Sequence, residues 1–144
     1  MAQRGKIESI ELFHVDVPYP TPLYPVWIPG YAQHKQSYTL LRIRTREGLE
    51  GYATSLALDR ERETLGDFMG RFLIGLDPYD VDGVRERLRQ ASFAGWRNNW
   101  MDIAFFDLAA KRRGVPLHVF IAEHAELEQG MPAPESVAAY ASFL

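Results

Sequence analysis

At 144 residues the chain can build one domain, or one domain with a fragment of a second. Its apolar share of 47% and charged share of 24% are those of a globular protein, and a net charge of -3 with scattered Lys and Arg argues against nucleic-acid binding. The absence of Cys excludes disulfides, thiol chemistry and zinc-thiolate sites, and no run is apolar enough for a signal core or long enough to span a membrane, which leaves the cytoplasm as the default compartment.

Residues 7–17, I-E-S-I-E-L-F-H-V-D-V, are rich in β-branched residues and read as a strand ended by Pro18. Phe13, Val15 and Val17 share one face, while Ile10 and Leu12 fall on the other, so a bulge or two-sided burial is expected. Residues 18–36 carry five prolines and one glycine and read as a loop without regular structure. The loop is nonetheless rich in Tyr, Trp and aliphatic residues, so it must bury itself on something or cover something.

A second strand is expected over 37–46, with Thr39, Leu41, Ile43 and Thr45 on one face and Tyr38, Leu40, Arg42 and Arg44 on the other. Thr45-Arg46-Glu47-Gly48 reads as a turn, and 49–56 as the return strand. The three strands make an antiparallel meander with one face in need of cover. Helices supply it. Asp59 can cap a helix over 60–74, whose stripe is Leu65, Phe68, Met69, Phe72 and Leu73, and Gly75 stops it. Asp77 as N-cap and Pro78 at the first helical position open another, with Val81, Val84 and Leu88 buried. Arg85, Glu86, Arg87 and Arg89 form its solvated face.

After a break at 92–95 comes the most apolar stretch, Trp96 to Ile121. Read as a helix, it places Trp96, Trp100, Ile103 and Ala104 on one face with Asp107, Leu108 and Lys111. Phe105, Phe106, Ala109 and Ala110 cover much of the rest, so the helix should pack on more than one side. Asp107 and Lys111, four apart, form a structural pair. Gly114 ends the helix and Pro116 opens a short one. A polar connector follows Ile121, and Val137–Ser142 reads as a new strand. The fold class is therefore α+β: a three-stranded antiparallel meander followed by a helical bundle over 1–130, then a linker and the start of a further element over 131–144.

Four segments in order carry a resemblance: R-T-R-E-G-L-E-G-Y, I-G-L-D-P-Y-D-V, M-D-I-A-F-F-D-L-A-A-K-R-R-G-V-P-L and V-A-A-Y-A-S. Together they resemble the N-terminal capping domain of the enolase superfamily, in its mandelate racemase and muconate-lactonizing enzyme group. The chain departs from that pattern at Ala53-Thr54, Phe106, Ala110 and Ile121-Ala122-Glu123. The resemblance implies that residues 1–130 cap a (β/α) barrel whose linker and first strand are residues 131–144, with the second apolar side of Trp96–Ile121 against that barrel. In the barrel, Lys or His bases abstract a proton α to a carboxylate. It implies Mg²⁺ for the full-length enzyme, where the metal stabilises the enediolate, and no metal bound by this chain. All those ligands and bases would lie beyond residue 144, so the chain alone is expected to be catalytically inert. The parent would be an acid-sugar dehydratase, racemase or cycloisomerase (a lyase or isomerase). Its partners would be a small carboxylic acid substrate and further copies of itself in a homo-oligomer.

No catalytic or metal-binding residue is therefore expected here. His14, His34, His118 and His124 are too far apart to read as a metal cluster, and Asp102 and Asp107 diverge around the helix axis. The resemblance makes the loop a specificity element, with Tyr24, Trp27, Ile28, Tyr31 and His34 as its candidates. The rival expectation is a non-catalytic structural or protein-interaction module that uses the same loop or the apolar helix.

Overall fold

The computed structural model describes residues 5–56, 69–93, 98–124 and 136. Strands β1 (Ile7–Leu23), β2 (Gln33–Thr45) and β3 (Glu50–Leu56) form one antiparallel sheet in the order β1-β2-β3. Helices α1 (Gly70–Leu73), α2 (Val81–Ser92), α3 (Asp102–Arg113) and α4 (Leu117–His124) follow, with a 3₁₀ turn at Asn99–Met101 leading into α3. This is the expected α+β meander with its helical cover.

The alternation in β2 sets the layer order. Thr39, Leu41, Ile43 and Thr45 are buried and face the helices. Gly48 takes φ 87° in the β2–β3 turn, where the Thr45 N–H donates to the Leu49 carbonyl at 2.9 Å. In β1 the conflict between Ile7, Ile10 and Leu12 is resolved by a bulge: Ile7 pairs with Thr45 but Ser9 already pairs with Arg44. The extra residue turns Ile7 onto the face that Ile10 and Leu12 share, and all three join the core. The opposite face is not buried in turn, since Phe13 and Val17 remain exposed.

The core joins Leu41, Ile43 and Ala53 of the sheet to Leu73, Val84, Leu88, Ala91, Met101, Ala104, Phe105 and Leu108 of the helices. Its closest approach is α3 on β3. A Cβ built on Gly51 would lie 2.1 Å from the Ala104 carbonyl oxygen and 2.6 Å from Leu108 Cγ. Only glycine lets the helix backbone descend this far. Polar bonds lock the same contact. Asp107 Oδ2 accepts from the Tyr52 N–H at 3.1 Å and from Lys111 Nζ at 2.7 Å, and Lys111 Nζ also donates to the Glu50 carbonyl at 2.7 Å. The Asp107–Lys111 pair is thus structural, as its spacing suggests, but it ties helix to strand as well as turn to turn.

Four boundaries differ from the sequence reading. The prolines do not end β1 at 18, and the segment 18–36 is mostly strand. Asp77 and Pro78 open a turn instead of a helix: the Asp77 carboxylate accepts from the Tyr79 N–H at 3.0 Å. The N-cap is Asp80, which accepts from the Gly83 N–H at 3.0 Å and starts α2 at Val81. The last helix does not stop at Ile121 but runs to His124, because His124 packs between Phe106 and Phe120 and lies 3.3 Å from Asp82. Finally, α3 begins at Asp102 after the 3₁₀ turn. There buried Asn98 is held by a 2.9 Å bond from its amide to the Leu88 carbonyl.

The second apolar side of α3, expected to lie against a barrel, is instead covered largely within the chain. Ala109 and Ala110 form a second small cluster with Val81 and Phe120 of the neighbouring helices, with Phe106 packed against it. Ile103 is left 47% exposed. Gly114 ends α3 in the left-handed region at φ 69°. Asp59, Leu65, Phe68 and Trp96, the connector over 125–135 and the strand expected at Val137–Ser142 lie outside the described residues.

Two substitutions test the helix–strand contact. Gly51→Ala forces a methyl into the Ala104 backbone and should cost about 1–3 kcal/mol by urea unfolding, from overpacking against a carbonyl that cannot rotate away. Asp107→Ala leaves the Tyr52 N–H and the Lys111 ammonium without their shared carboxylate. The expected loss is about 1–3 kcal/mol in the same measurement. A change within experimental error for both would mean the contact is not a main determinant of stability.

Candidate functional site

The candidate residues sit on the β1–β2 hairpin, which extends beyond the end of β3: β2 pairs with β3 only as far as Tyr38↔Leu56 but with β1 out to Leu23↔Gln33. Pairing is regular from Ser9↔Arg44 to Pro18↔Lys35, then jumps to Leu23↔Gln33, so residues 19–22 of β1 face only His34 of β2. Pro18, Pro20 and Pro22 stand at alternate positions on an edge strand, and such strands tolerate the missing N–H because one side of their backbone lacks a partner. That is why these three prolines do not abolish the strand pair.

At the tip, two consecutive turns reverse the chain. The Ile28 N–H donates to the Pro25 carbonyl at 3.0 Å and the Tyr31 N–H to the Ile28 carbonyl at 3.2 Å, with Gly30 at φ 79° between them. Pro25 is buried, but the large side chains point outward: Tyr24 is 66% exposed, Trp27 61%, Tyr31 50% and Ile28 44%, and Val26 beside them is 80% exposed. These rings do not bury themselves on the domain. Four of the five expected residues are therefore grouped on the tip. His34 is separate, an exposed residue of β2 opposite the proline-rich bulge.

Below the tip lie two side-chain networks that the sequence reading did not identify. Gln33 Nε2 donates to Gln36 Oε1 at 3.0 Å and to the Tyr19 hydroxyl at 3.5 Å, and that hydroxyl donates to Gln36 Oε1 at 3.4 Å. Closer to the core, the Asp16 carboxylate accepts from Lys35 Nζ at 2.5 Å and from the Ser37 hydroxyl at 2.6 Å, with His14 Nε2 3.0 Å away. The bonds from Lys35 and Ser37, aided by the charge of Lys35, hold the Asp16 carboxyl down at about 2. His14 and Asp16 at alternate positions of a strand were a visible signal of a shared face. Ending the strands at 17 and 37 hid Lys35 from it.

The other histidines have structural surroundings or none of note: His118 is exposed on α4, and His124 is packed as described above. Asp102 and Asp107 do diverge. Asp102 faces Arg85 at 3.8 Å, and burial raises its carboxyl above the usual range. It lines an open groove of about 460 Å³ with Arg85, Glu86, Arg89 and Asn98, whose strongest charges are already paired, Arg89 with Glu86 at 2.7 Å. Among the described residues, no three His, Asp or Glu side chains converge as a metal ion would require, so these residues do not fit a Mg²⁺ site. No described helix is long and apolar enough to cross a membrane.

The model of the mandelate racemase / muconate lactonizing enzyme N-terminal domain matches residues 9–121. The chain belongs to this family. A cis-3-hydroxy-L-proline dehydratase of Roseibium aggregatum is 31% identical over 132 residues, an alignment covering 84% of this chain and 35% of the relative. Among solved structures, a muconate lactonizing enzyme from Pseudomonas fluorescens in complex with muconolactone superposes with a TM-score of 0.66 at 26% identity, covering 80% of this chain and 33% of that one. An L-talarate/galactarate dehydratase from Salmonella typhimurium LT2 gives 0.64 at 25% identity, over 78% and 32%. The chain thus spans about a third of the length of these relatives. The hairpin, its tip and the three-stranded sheet all fall within the matched domain.

Asp16 gives this site a pH signature. Its carboxyl is lowered in the folded state, so the stabilisation is complete above the ordinary value of 3.8 and is lost as pH falls through about 2. A carboxyl-detected NMR titration should place the Asp16 midpoint near 2 in the native chain and return it toward 3.8 in Lys35→Ala. A midpoint already near the ordinary value would show that the Lys35 and Ser37 bonds do not persist in solution.

Proposed function

We propose that this chain is the capping domain of a Mg²⁺-dependent enzyme that removes the proton α to the carboxylate of a small acid. We assign the reaction to the group of acid-sugar dehydratases, racemases and cycloisomerases. In this reading, Tyr24, Trp27, Ile28 and Tyr31 close over the substrate, with His34 at the margin. Residues 131–144 are the linker and first strand of the barrel that carries the chemistry. One observation carries the reading: large apolar side chains stand exposed on the tip of a braced hairpin that extends beyond β3. On a domain working alone, such a group would only lose free energy to water; over an active site, it excludes water and fits the distal part of a substrate.

The family supports this reading, and so do the names of the relatives, two dehydratases and a lactonizing enzyme. The protein residues that would bind Mg²⁺ and supply it as an electrophile for the developing negative charge belong to the barrel. The part played by this domain's own residues is binding, orientation and the exclusion of water.

The complete gene product should exchange the α-proton of its carboxylic acid substrate with D₂O in a Mg²⁺-dependent manner, read by proton NMR against a panel of acid sugars, hydroxyprolines and muconolactones. Trp27→Ala should then raise KM about tenfold or more, the scale of a lost apolar contact, with the unfolding midpoint unchanged. Absence of exchange with every acid, or tight stoichiometric Mg²⁺ binding by the 144-residue chain alone, would overturn the proposal.

A further inference from the structure

The hairpin has an engineering problem at Pro18. Beyond that residue the register shifts, and pairing resumes only at Leu23↔Gln33. The backbone ladder is therefore weakest between the sheet and the tip. Two sets of side chains bridge the strands there. The Tyr19–Gln33–Gln36 set is uncharged, with contacts between 3.0 and 3.5 Å, two of them at the long end of hydrogen bonding. The Asp16 set is charge-assisted and short, at 2.5 Å to Lys35 and 2.6 Å to Ser37.

Position strengthens the contrast. Asp16 pairs with Ser37, and Val17↔Gln36 and Pro18↔Lys35 are the last regular pairs before the jump. One carboxylate thus spans two positions of β2, Lys35 and Ser37, at the end of the regular ladder. A single exposed ion pair contributes little. A carboxylate with a bond on each oxygen, and His14 3.0 Å from one of them, orders several side chains at once, so the entropy cost per bond is smaller. Its low carboxyl value keeps it ionised throughout the neutral range.

We propose that Asp16 is a positioning residue: by clamping Lys35 and Ser37 at the end of the regular ladder, it fixes the orientation in which the hairpin presents Tyr24, Trp27 and Tyr31. The inference rests on the reading of the tip as a cover for the substrate, but its test needs no substrate. Amide hydrogen exchange of the 144-residue chain, read by mass spectrometry, compares residues 19–34 with residues 40–56.

Asp16→Ala should raise exchange in 19–34 about five- to tenfold while 40–56 stay within about twofold of the native chain. Asp16→Glu, which keeps the charge, should recover most of the protection. Lys35→Ala, a change at an exposed side chain, should give the same localised rise, so the test survives even if Asp16→Ala does not fold. No rise in either variant, or an equal rise in both segments, would overturn the clamp, the second result marking a merely structural contribution to the sheet. Such a failure leaves the cover reading standing. Conversely, localised exchange with no effect of Trp27→Ala on KM would sink the cover reading and leave the clamp.

Discussion

The approach of α3 to β3 is the constraint on which the other parts depend. Gly51 removes the one atom that would keep the helix backbone off the strand, since a Cβ there would sit 2.1 Å from the Ala104 carbonyl oxygen. With that atom gone, Ala104 and Leu108 reach the sheet, and Phe105 fills the space toward the remaining core. Asp107 then meets the Tyr52 N–H and Lys111 meets the Glu50 carbonyl. Packing and polar bonds specify the same rotation of the helix about its axis: a turned helix would lose both sets together. With α3 fixed, its far side presents Ala109 and Ala110 to the α4 residue Phe120, so the order of layers follows from one contact.

Much of this was legible from residue pattern. The four inward residues of β2, the turn at Gly48, the stop at Gly114 and the Asp107–Lys111 pair each express a local rule that the tertiary structure keeps. The failures share a physical cause. Asp77-Pro78 carries a helix-start signal, yet Asp80 is the cap, and the local sequence does not say which carboxylate reaches a helix amide and which a turn amide. His124 looked like part of a polar connector because its stacking on Phe120 and contact with Phe106 come from neighbours that only the folded packing supplies. The strand over 18–23 is hidden in the sequence because proline disfavours a strand interior, whereas an edge position removes much of that penalty.

The candidate site was legible in composition and hidden in geometry. A proline-rich segment dense in aromatic residues must bury itself or cover something, and in the structure Tyr24, Trp27, Ile28 and Tyr31 gather exposed on one tip. His34 does not join them, because the register jump leaves it on β2 facing the bulge. The Asp16 network could not be found without that register. Lys35 lies 19 residues from Asp16 in sequence, and only the length of the strand pair brings the two charges together.

The hairpin also accounts for an apparent contradiction in its own chemistry. Its register shifts past Pro18, where a long arm needs support, yet its prolines narrow the conformations open to the unfolded segment. An arm built only of backbone ladder would be stiff but would offer an unpaired edge to other strands, and prolines on that edge deny such pairing. The Asp16 bridge and the Tyr19–Gln33–Gln36 network supply cross-strand bonds from side chains instead of from the backbone. The arm can therefore carry exposed aromatic rings beyond the end of β3 while denying its open edge to other strands. Prolines at the edge and charged bridges across the strands then serve one end: to hold the apolar surface of the tip in water at a fixed place.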